Sequence, residues 1–313
     1  MNHSIFKIIF PLLLAALPLL PASAAADKQL AAQSVVETET LAPVYAEAKR
    51  QLALGKQPLV IFDIDNTLSY HDFYLGNEPW FGSVYADYLD SLRKNAPARL
   101  AAEERAITWL TVMLMSDTPY FLTEQDLPRQ IRELQQSGLK VMAQTSRCVL
   151  IAAHTVADLH RHGIDFSASS PFPDTYDFIP WEGARPVICS GGACFGQLQD
   201  KGKILLMLMA KHGYKPQAVI LADDSKKNIA AMGAAMKEAG IPYSGFRYSK
   251  LDKMMERYHA PESLAAARVQ LKDYLLNGRL MPNQKALELS RTAPVSVEQQ
   301  LKMIFGPQAA PAR

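Results

Sequence analysis

The sequence predicts an α/β protein whose central, mainly parallel sheet carries helices on both faces. Pro58–Phe62, an apolar run without polar alternation, reads as a strand buried on both sides, and Leu139–Gln144 and Pro216–Ala222 read as two further strands. Between them lie amphipathic stretches of helical length, closed by Gly138, Gly163, Gly213 and Gly240. Each apolar run also stops at chemistry-bearing residues: Asp63 and Asp65, Thr145-Ser146-Arg147, and Asp223-Asp224. In an open α/β sheet that edge borders the crevice where ligands bind.

Bulk composition agrees. The 313 residues are 49% hydrophobic and 20% charged, ample for a core. Lys and Arg number 33 against 31 Asp and Glu, a balance that makes no case for nucleic acid or an anionic membrane as the main partner.

Residues 1–24 read as a signal peptide: Lys7, an apolar Ile8–Leu20 broken by Pro11 and Pro18, then Ala22-Ser23-Ala24 for cleavage. A spanning helix is the rival, but the run falls short of the roughly 20 residues required. The expectation is a periplasmic or secreted protein with no stable membrane span after cleavage. Residues 25–57 follow as an N-terminal helical segment, with Val35, Val36, Leu41, Val44, Tyr45 and Ala48 at mixed three- and four-residue spacings and Gly55 as the stop.

The core is expected over 58–68 and 123–250. Residues 69–122 between its first two strands are too long for a plain crossover, and read as a mostly helical insertion over the edge that carries Asp63 and Asp65. Its aromatic residues, Tyr70, Phe73, Tyr74, Trp80, Phe81, Tyr85 and Tyr88 among them, read as packing. Thr123 and Asp126 make a capping-box pattern for the next helix. Ile164-Asp165-Phe166 reads as a short strand. Residues 167–199 read as a small second insertion, a hairpin excursion with extended pieces at 178–181 and 186–189. Within it Cys189 and Cys194 either close a loop as a disulfide or stay as thiols, with Cys148 the odd one out. Asp200 is a plausible N-cap. Residues 251–305 read as C-terminal helices and 306–313 as a flexible tail.

The chemistry begins at Asp63 and Asp65. Two carboxylates in one crevice repel each other and resist desolvation, so they require a cation, a proton or both; the bland alternative is an Asp-Asn turn. Joined to the other strand ends, the pattern is more specific. Asp63-Ile64-Asp65-Asn66-Thr67, Thr145, Lys201 in a Lys-Gly-x-x-Leu setting, and Asp223-Asp224 occur in the order of four motifs, and with them the chain resembles the haloacid dehalogenase superfamily of phosphohydrolases. The resemblance spans about Leu59 to Tyr248, and Leu75–Phe81 is similar to a little-characterised group of exported bacterial members.

That resemblance implies a Rossmann-like fold with a helical cap, and Mg²⁺ bound by Asp63, the Asp65 carbonyl and Asp224, with Asp223 as a water-mediated partner or the reverse. It implies Asp63 as nucleophile and Asp65 as general acid and base. Thr145, Ser146 and Lys201 would hold the phosphoryl oxygens, Lys203 being the rival lysine. Arg147 and His71 are candidate substrate contacts, the alternative being solvent-facing turn residues. The implied activity is phosphatase action on a small phosphomonoester through an aspartyl-phosphate. A non-catalytic binding protein and a phosphotransferase are the alternatives.

Overall fold

The computed structural model describes residues 33–84, 88–179 and 183–309; the expected leader at 1–24 lies outside them. The chain opens with β1 (Gln33–Thr38), α1 (Ala42–Ala53), β2 (Pro58–Phe62) and a short β3 (Ser69–Tyr70). Then come α2 (Glu78–Val84), α3 (Asp90–Asn95), α4 (Pro97–Asp117) and β4 (Phe121–Leu122). The middle holds α5 (Leu127–Gln136), β5 (Lys140–Thr145), α6 (Ala152–Arg161), β6 (Thr175–Phe178), β7 (Pro186–Ser190) and β8 (Ala193–Phe195). The last part is α7 (Lys201–His212), β9 (Ala218–Asp223), α8 (Lys226–Glu238), β10 (Tyr243–Tyr248), α9 (Asp252–Tyr258), α10 (Pro261–Asn277), α11 (Asn283–Thr292) and α12 (Val297–Phe305).

One eight-stranded sheet runs β1-β10-β9-β2-β5-β8-β7-β6, parallel from β1 to β8 and antiparallel over the last two pairings. All five residues of β2 are buried because the pleat turns alternate side chains into two separate cores. Val60 and Phe62 pack with Leu41, Val44, Ile131 and Leu159 on one face; Leu59 and Ile61 pack with Leu205, Leu208 and Met232 on the other. Each such side chain contributes about 1.5–3 kcal/mol of burial. The chain leaves β2 toward β5 and β8, then returns to the far side of β2 through β9, so the strand order reverses at the β2–β9 seam. Ligands bind outside the strand ends at such a reversal.

Several expectations need correction. Residues 33–38, inside the expected helical segment 25–57, form strand β1, paired in parallel with β10 at the sheet edge. Exposed on both sides, that strand shows no two-residue burial alternation, which is the signal its sequence lacked. Ile164–Phe166 is not a strand, and β8 takes the place beside β5. The 167–199 segment is therefore no excursion, since its three strands extend the main sheet. Gly191 and Gly192 turn that hairpin with φ of 56° and 75°, and a Cβ on Gly192 would meet the Phe166 carbonyl oxygen at 2.3 Å. Cys189 and Cys194, directly opposite across β7 and β8, are joined as a disulfide, and Cys148 is free.

Thr123 caps no helix. Pro128 fixes the first turn of α5 so that Asp126 is its N-cap residue, and the Thr123 hydroxyl donates instead to the Thr67 carbonyl at 2.6 Å. The insertion and the C-terminal helices are one body: Leu75, Trp80, Leu89, Ile107 and Leu114 share a core with Leu271, Tyr274, Leu301 and Phe305. Trp80 Nε1 donates to Gln300 Oε1 at 3.1 Å, and Leu75 N to Gln270 Oε1 at 2.9 Å. The first residues of the expected flexible tail turn back into this body, where Ala309 is fully buried; 310–313 lie outside the described residues. Among the described residues, no helix is long and apolar enough to cross a membrane.

Candidate functional site

Asp63 follows β2 directly and keeps the parallel ladder for one residue, its N–H donating to Ala222 O at 2.9 Å. The chain then curls: Thr67, Leu68 and Ser69 all donate to Ile64 O, and Asn66 takes φ 57°, a left-handed conformation that asparagine tolerates. Ile64 turns into the core and is 1% exposed, so the curl presents Asp63 and Asp65 outward at the sheet edge. Thr67, fully buried, pins the curl by accepting from Asp224 N at 3.1 Å.

Lys201 begins α7 and is itself buried. Its Nζ lies 2.7 Å from Asp63 Oδ1 and 2.6 Å from Asp223 Oδ2. Asp200 caps the helix by accepting from Lys203 N at 3.0 Å, and this fixes the turn that aims Lys201 inward. Gly202 allows the approach, because a Cβ there would come within 2.6 Å of the Ala235 Cβ on α8. Lys203 is exposed, so Lys201 is the lysine of the cluster.

Asp223 ends β9, fully buried. Besides Lys201 it accepts from Ser225 N at 2.9 Å and from Asn228 Nδ2 at 3.0 Å. The Asp224 carboxylate is half-buried and carries no hydrogen bond among the described residues. Oxygens of Asp63, Asp223 and Asp224 lie within 4.8 Å of one another. One lysine faces three carboxylates, and the electrostatics register the deficit. Burial pushes the Asp63 carboxyl up to about 7 against the pull of Lys201, with Asp223 and Asp65 adding to the rise. Burial, Asp63 and Asp223 hold Asp224 well above the ordinary carboxylate range. An all-oxygen, negatively charged cluster of this kind fits a hard divalent cation.

Thr145 ends β5, beside β2, and is fully buried; its hydroxyl accepts from Arg147 N at 3.1 Å. Its carbonyl and those of Ser146 and Arg147 accept from Gly196, Leu198 and Gln197 N–H, so the loop after β8 clamps this turn. Ser146 is half-buried, and its side chain makes no hydrogen bond among the described residues. The Arg147 guanidinium does not stand open to a ligand. Its Nε and NH2 bind both oxygens of Asp65 at 2.8–3.2 Å, and NH1 donates to Thr155 Oγ1 at 2.9 Å. The Tyr120 ring lies 4.7 Å from the guanidinium carbon. Burial pushes the Asp65 carboxyl up, yet the charge and hydrogen bonds of Arg147 outweigh it and leave that group below its ordinary value.

His71 is buried edge-on to Tyr120. Its Nε2 donates to Gly76 O at 3.2 Å, which makes Nδ1 the acceptor nitrogen, and Nδ1 has no partner among the described residues. Burial depresses its pKa to about 4, so the ring is neutral near pH 7. Thr67 closes the first motif of the sequence but carried no assigned role there, and Tyr120, Thr155 and Asn228 were not singled out as site residues. Asn228, three residues past the N-cap Ser225, carried a faint signal as a polar residue in a first helical turn. Tyr120 and Thr155 carried none. A separate cavity of about 480 Å³ lies between α2–α3 and the loop before α7, lined by Asp90, Arg93, Arg185, Asp200 and Lys203 among others and by none of Asp63, Asp65, Asp223 and Asp224.

A family described as "Protein of unknown function (DUF2608)" matches residues 37–286. A protein of Chlamydia trachomatis serovar D named "Putative outer membrane protein" is 26% identical over 235 residues, covering 74% of this chain and 82% of that one. A protein of the same name from Chlamydia muridarum is 24% identical over 263 residues, covering 83% of this chain and 92% of that one.

Proposed function

The chain belongs to the DUF2608 family, and for it we propose an exported, Mg²⁺-dependent phosphatase of the haloacid dehalogenase type that hydrolyses a small phosphomonoester. One observation carries this reading: Lys201 Nζ sits buried between Asp63 and Asp223 while a neighbouring acid, Asp224, is left without a partner, all at the point where the strand order reverses. The helical body built from 69–122 and the C-terminal helices acts as the cap. Asn66 at the curl touches Met255 of α9, which supports that placement.

Asp63, Asp224 and the Asp65 carbonyl would hold Mg²⁺, with Asp223, already hydrogen-bonded on both oxygens, as the outer partner. Bound there, the ion would offset the charge of the phosphoryl oxygens. One oxygen of Asp63 is held by Lys201, and the other attacks phosphorus as the ester bond breaks, the leaving oxygen taking its proton from Asp65. Lys201 and the Thr145 hydroxyl, whose own proton is free to donate, steady the phosphoryl oxygens. In the second half Asp65 takes a proton from water, the water oxygen bonds to phosphorus, and the Asp63–phosphorus bond breaks to return the carboxylate and phosphate. The Arg147 pair supports this base role more directly than the acid role in the first half, because it favours the ionised carboxylate. The disulfide and the name of the chlamydial relatives support export to a periplasmic or outer compartment.

The test is phosphate release from a panel of phosphomonoesters with and without Mg²⁺, run beside Asp63→Asn. Release that needs both Mg²⁺ and Asp63 is expected; equal, negligible release from both proteins across the panel refutes the enzyme reading.

A further inference from the structure

Arg147 is a buried charged side chain at this edge to which the reaction above assigns no contact with substrate and no part in setting the geometry. Four parts of the structure hold it. Asp65 of the curl takes its Nε and NH2 in a fork, with closest contacts of 3.0 and 2.8 Å. Thr155 of α6 takes NH1 at 2.9 Å, and Tyr120, just before β4, covers the guanidinium. Tyr120 is itself fixed, its carbonyl accepting from His162 Nε2 at 3.1 Å. The Arg147 carbonyl accepts from Gln197 N at 3.2 Å, tying the backbone to the loop after β8. The Arg147 side chain is 2% exposed and the Asp65 side chain 41% exposed. The arginine is therefore sealed off while one side of the carboxylate it grips stays open. A planar fork on both oxygens also fixes the rotation of the carboxylate plane, which a single ammonium cannot do.

We propose that Arg147 is a positioning residue: it meets no substrate and acts only through Asp65, holding that carboxylate at one orientation against the reacting phosphoryl group. This rests on the phosphohydrolase reading above. Thr155 and Tyr120 serve the same end, the first by fixing NH1 and the second by closing the remaining face of the guanidinium. A substrate-binding arginine would instead leave N–H groups exposed toward the cluster.

The experiment compares wild type, Asp65→Asn, Arg147→Met, the double variant and Arg147→Lys, assayed with p-nitrophenyl phosphate and Mg²⁺ and melted without substrate. Arg147→Met is expected to lower kcat by about 10²-fold, the scale of a displaced catalytic group, with KM nearly unchanged. Added to Asp65→Asn it is expected to cost nothing further. Arg147→Lys keeps the charge without the fork, so the same kcat loss is expected from it, and it carries the test if Arg147→Met does not fold. A raised KM with kcat kept, or an equal loss in both Asp65 backgrounds, overturns the proposal. The melts need no turnover. Arg147→Met is expected to lower the melting temperature more when Asp65 is present than when it is Asn, and independent shifts overturn the proposal. Coupled melts from a wild type that hydrolyses nothing would refute the phosphatase reading and leave the Asp65–Arg147 geometry standing.

Discussion

Asp63 and Asp65 stand two residues apart on one curl, yet the fold gives them opposite surroundings. The Asp63 side chain is 8% exposed and shares a single lysine with Asp223, so its neighbourhood carries more negative than positive charge. The Asp65 side chain is 41% exposed and has a whole guanidinium to itself. Spacing along the chain made the two look equivalent, but the neighbouring strands and helices decide which is short of a cation. The contrast teaches a division of labour. The under-neutralised carboxylate is where a metal gains most, and the neutralised one is where orientation matters most.

The largest expected effect separates the two pairings by stability. Lys201→Met strips the cation from two buried carboxylates and is expected to cost about 3–5 kcal/mol, as for breaking a buried ion pair. Arg147→Met leaves Asp65 able to rehydrate through its open side, so about 2 kcal/mol is expected, the scale of hydrogen bonds to a charged group. Urea unfolding of both variants at neutral pH checks the ordering; equal losses would mean that the two carboxylates are equally dependent on their partners.

Next in size is the response to metal. Mg²⁺ at a hundredfold its dissociation constant is expected to raise stability by about 2.7 kcal/mol, seen as a higher melting temperature that a chelator reverses. Asp224→Asn is expected to remove most of that shift, whereas Asp65→Asn, which keeps its backbone carbonyl, is expected to retain it. A shift lost with Asp65 and kept without Asp224 would place the cation on the wrong carboxylate.

Much of this edge was legible in the sequence because the physics there is local. The runs Leu59–Phe62 and Val219–Ala222 announce strands buried on both faces, and the polar residues that end them fall at one edge once those strands are parallel. Lys201 was legible too, through the cap residue Asp200 just before it and the glycine after it. What escaped depends on pairings distant in sequence. β1 finds its partner some 200 residues away in β10, and its exposed Val35 and Val36 carry no periodicity to mark it. Ile164 and Phe166 alternate like a strand but serve as core plugs. Arg147 looked like a loop cation because nothing near it in the chain reveals that Thr155 and Tyr120 enclose it. The fusion of the insertion with the C-terminal helices likewise hangs on contacts such as Trp80 with Gln300.

The effect that is smallest per pH unit also opposes the two carboxylates in sign. In chelator-treated protein the Asp63 carboxyl is raised to about 7 by burial, above its unfolded value, so the folded state binds the extra proton at mildly acidic pH. Its contribution is full at low pH and is lost as pH rises through about 7. Asp65 is held below its ordinary value by Arg147 against the effect of burial, so its contribution is present at neutral pH and is lost only as pH falls below the usual carboxylate range. Neutral His71, at about 4, acts in the same direction as Asp65: stability is lost as pH falls from the ordinary histidine value toward 4. Each group changes stability by at most about 1.4 kcal/mol per pH unit. Asp224, also held well above the ordinary carboxylate range, adds to the decline. Metal-free Asp63→Asn is therefore expected to decline less steeply toward neutral pH than wild type, and His71→Gln to decline more steeply between about pH 4 and 6.5. Urea midpoints followed across this range for wild type and both variants check it. A wild type whose stability falls toward neutral pH no more steeply than that of Asp63→Asn would show that Lys201 alone neutralises Asp63, and the difference between the two carboxylates would then be one of exposure alone.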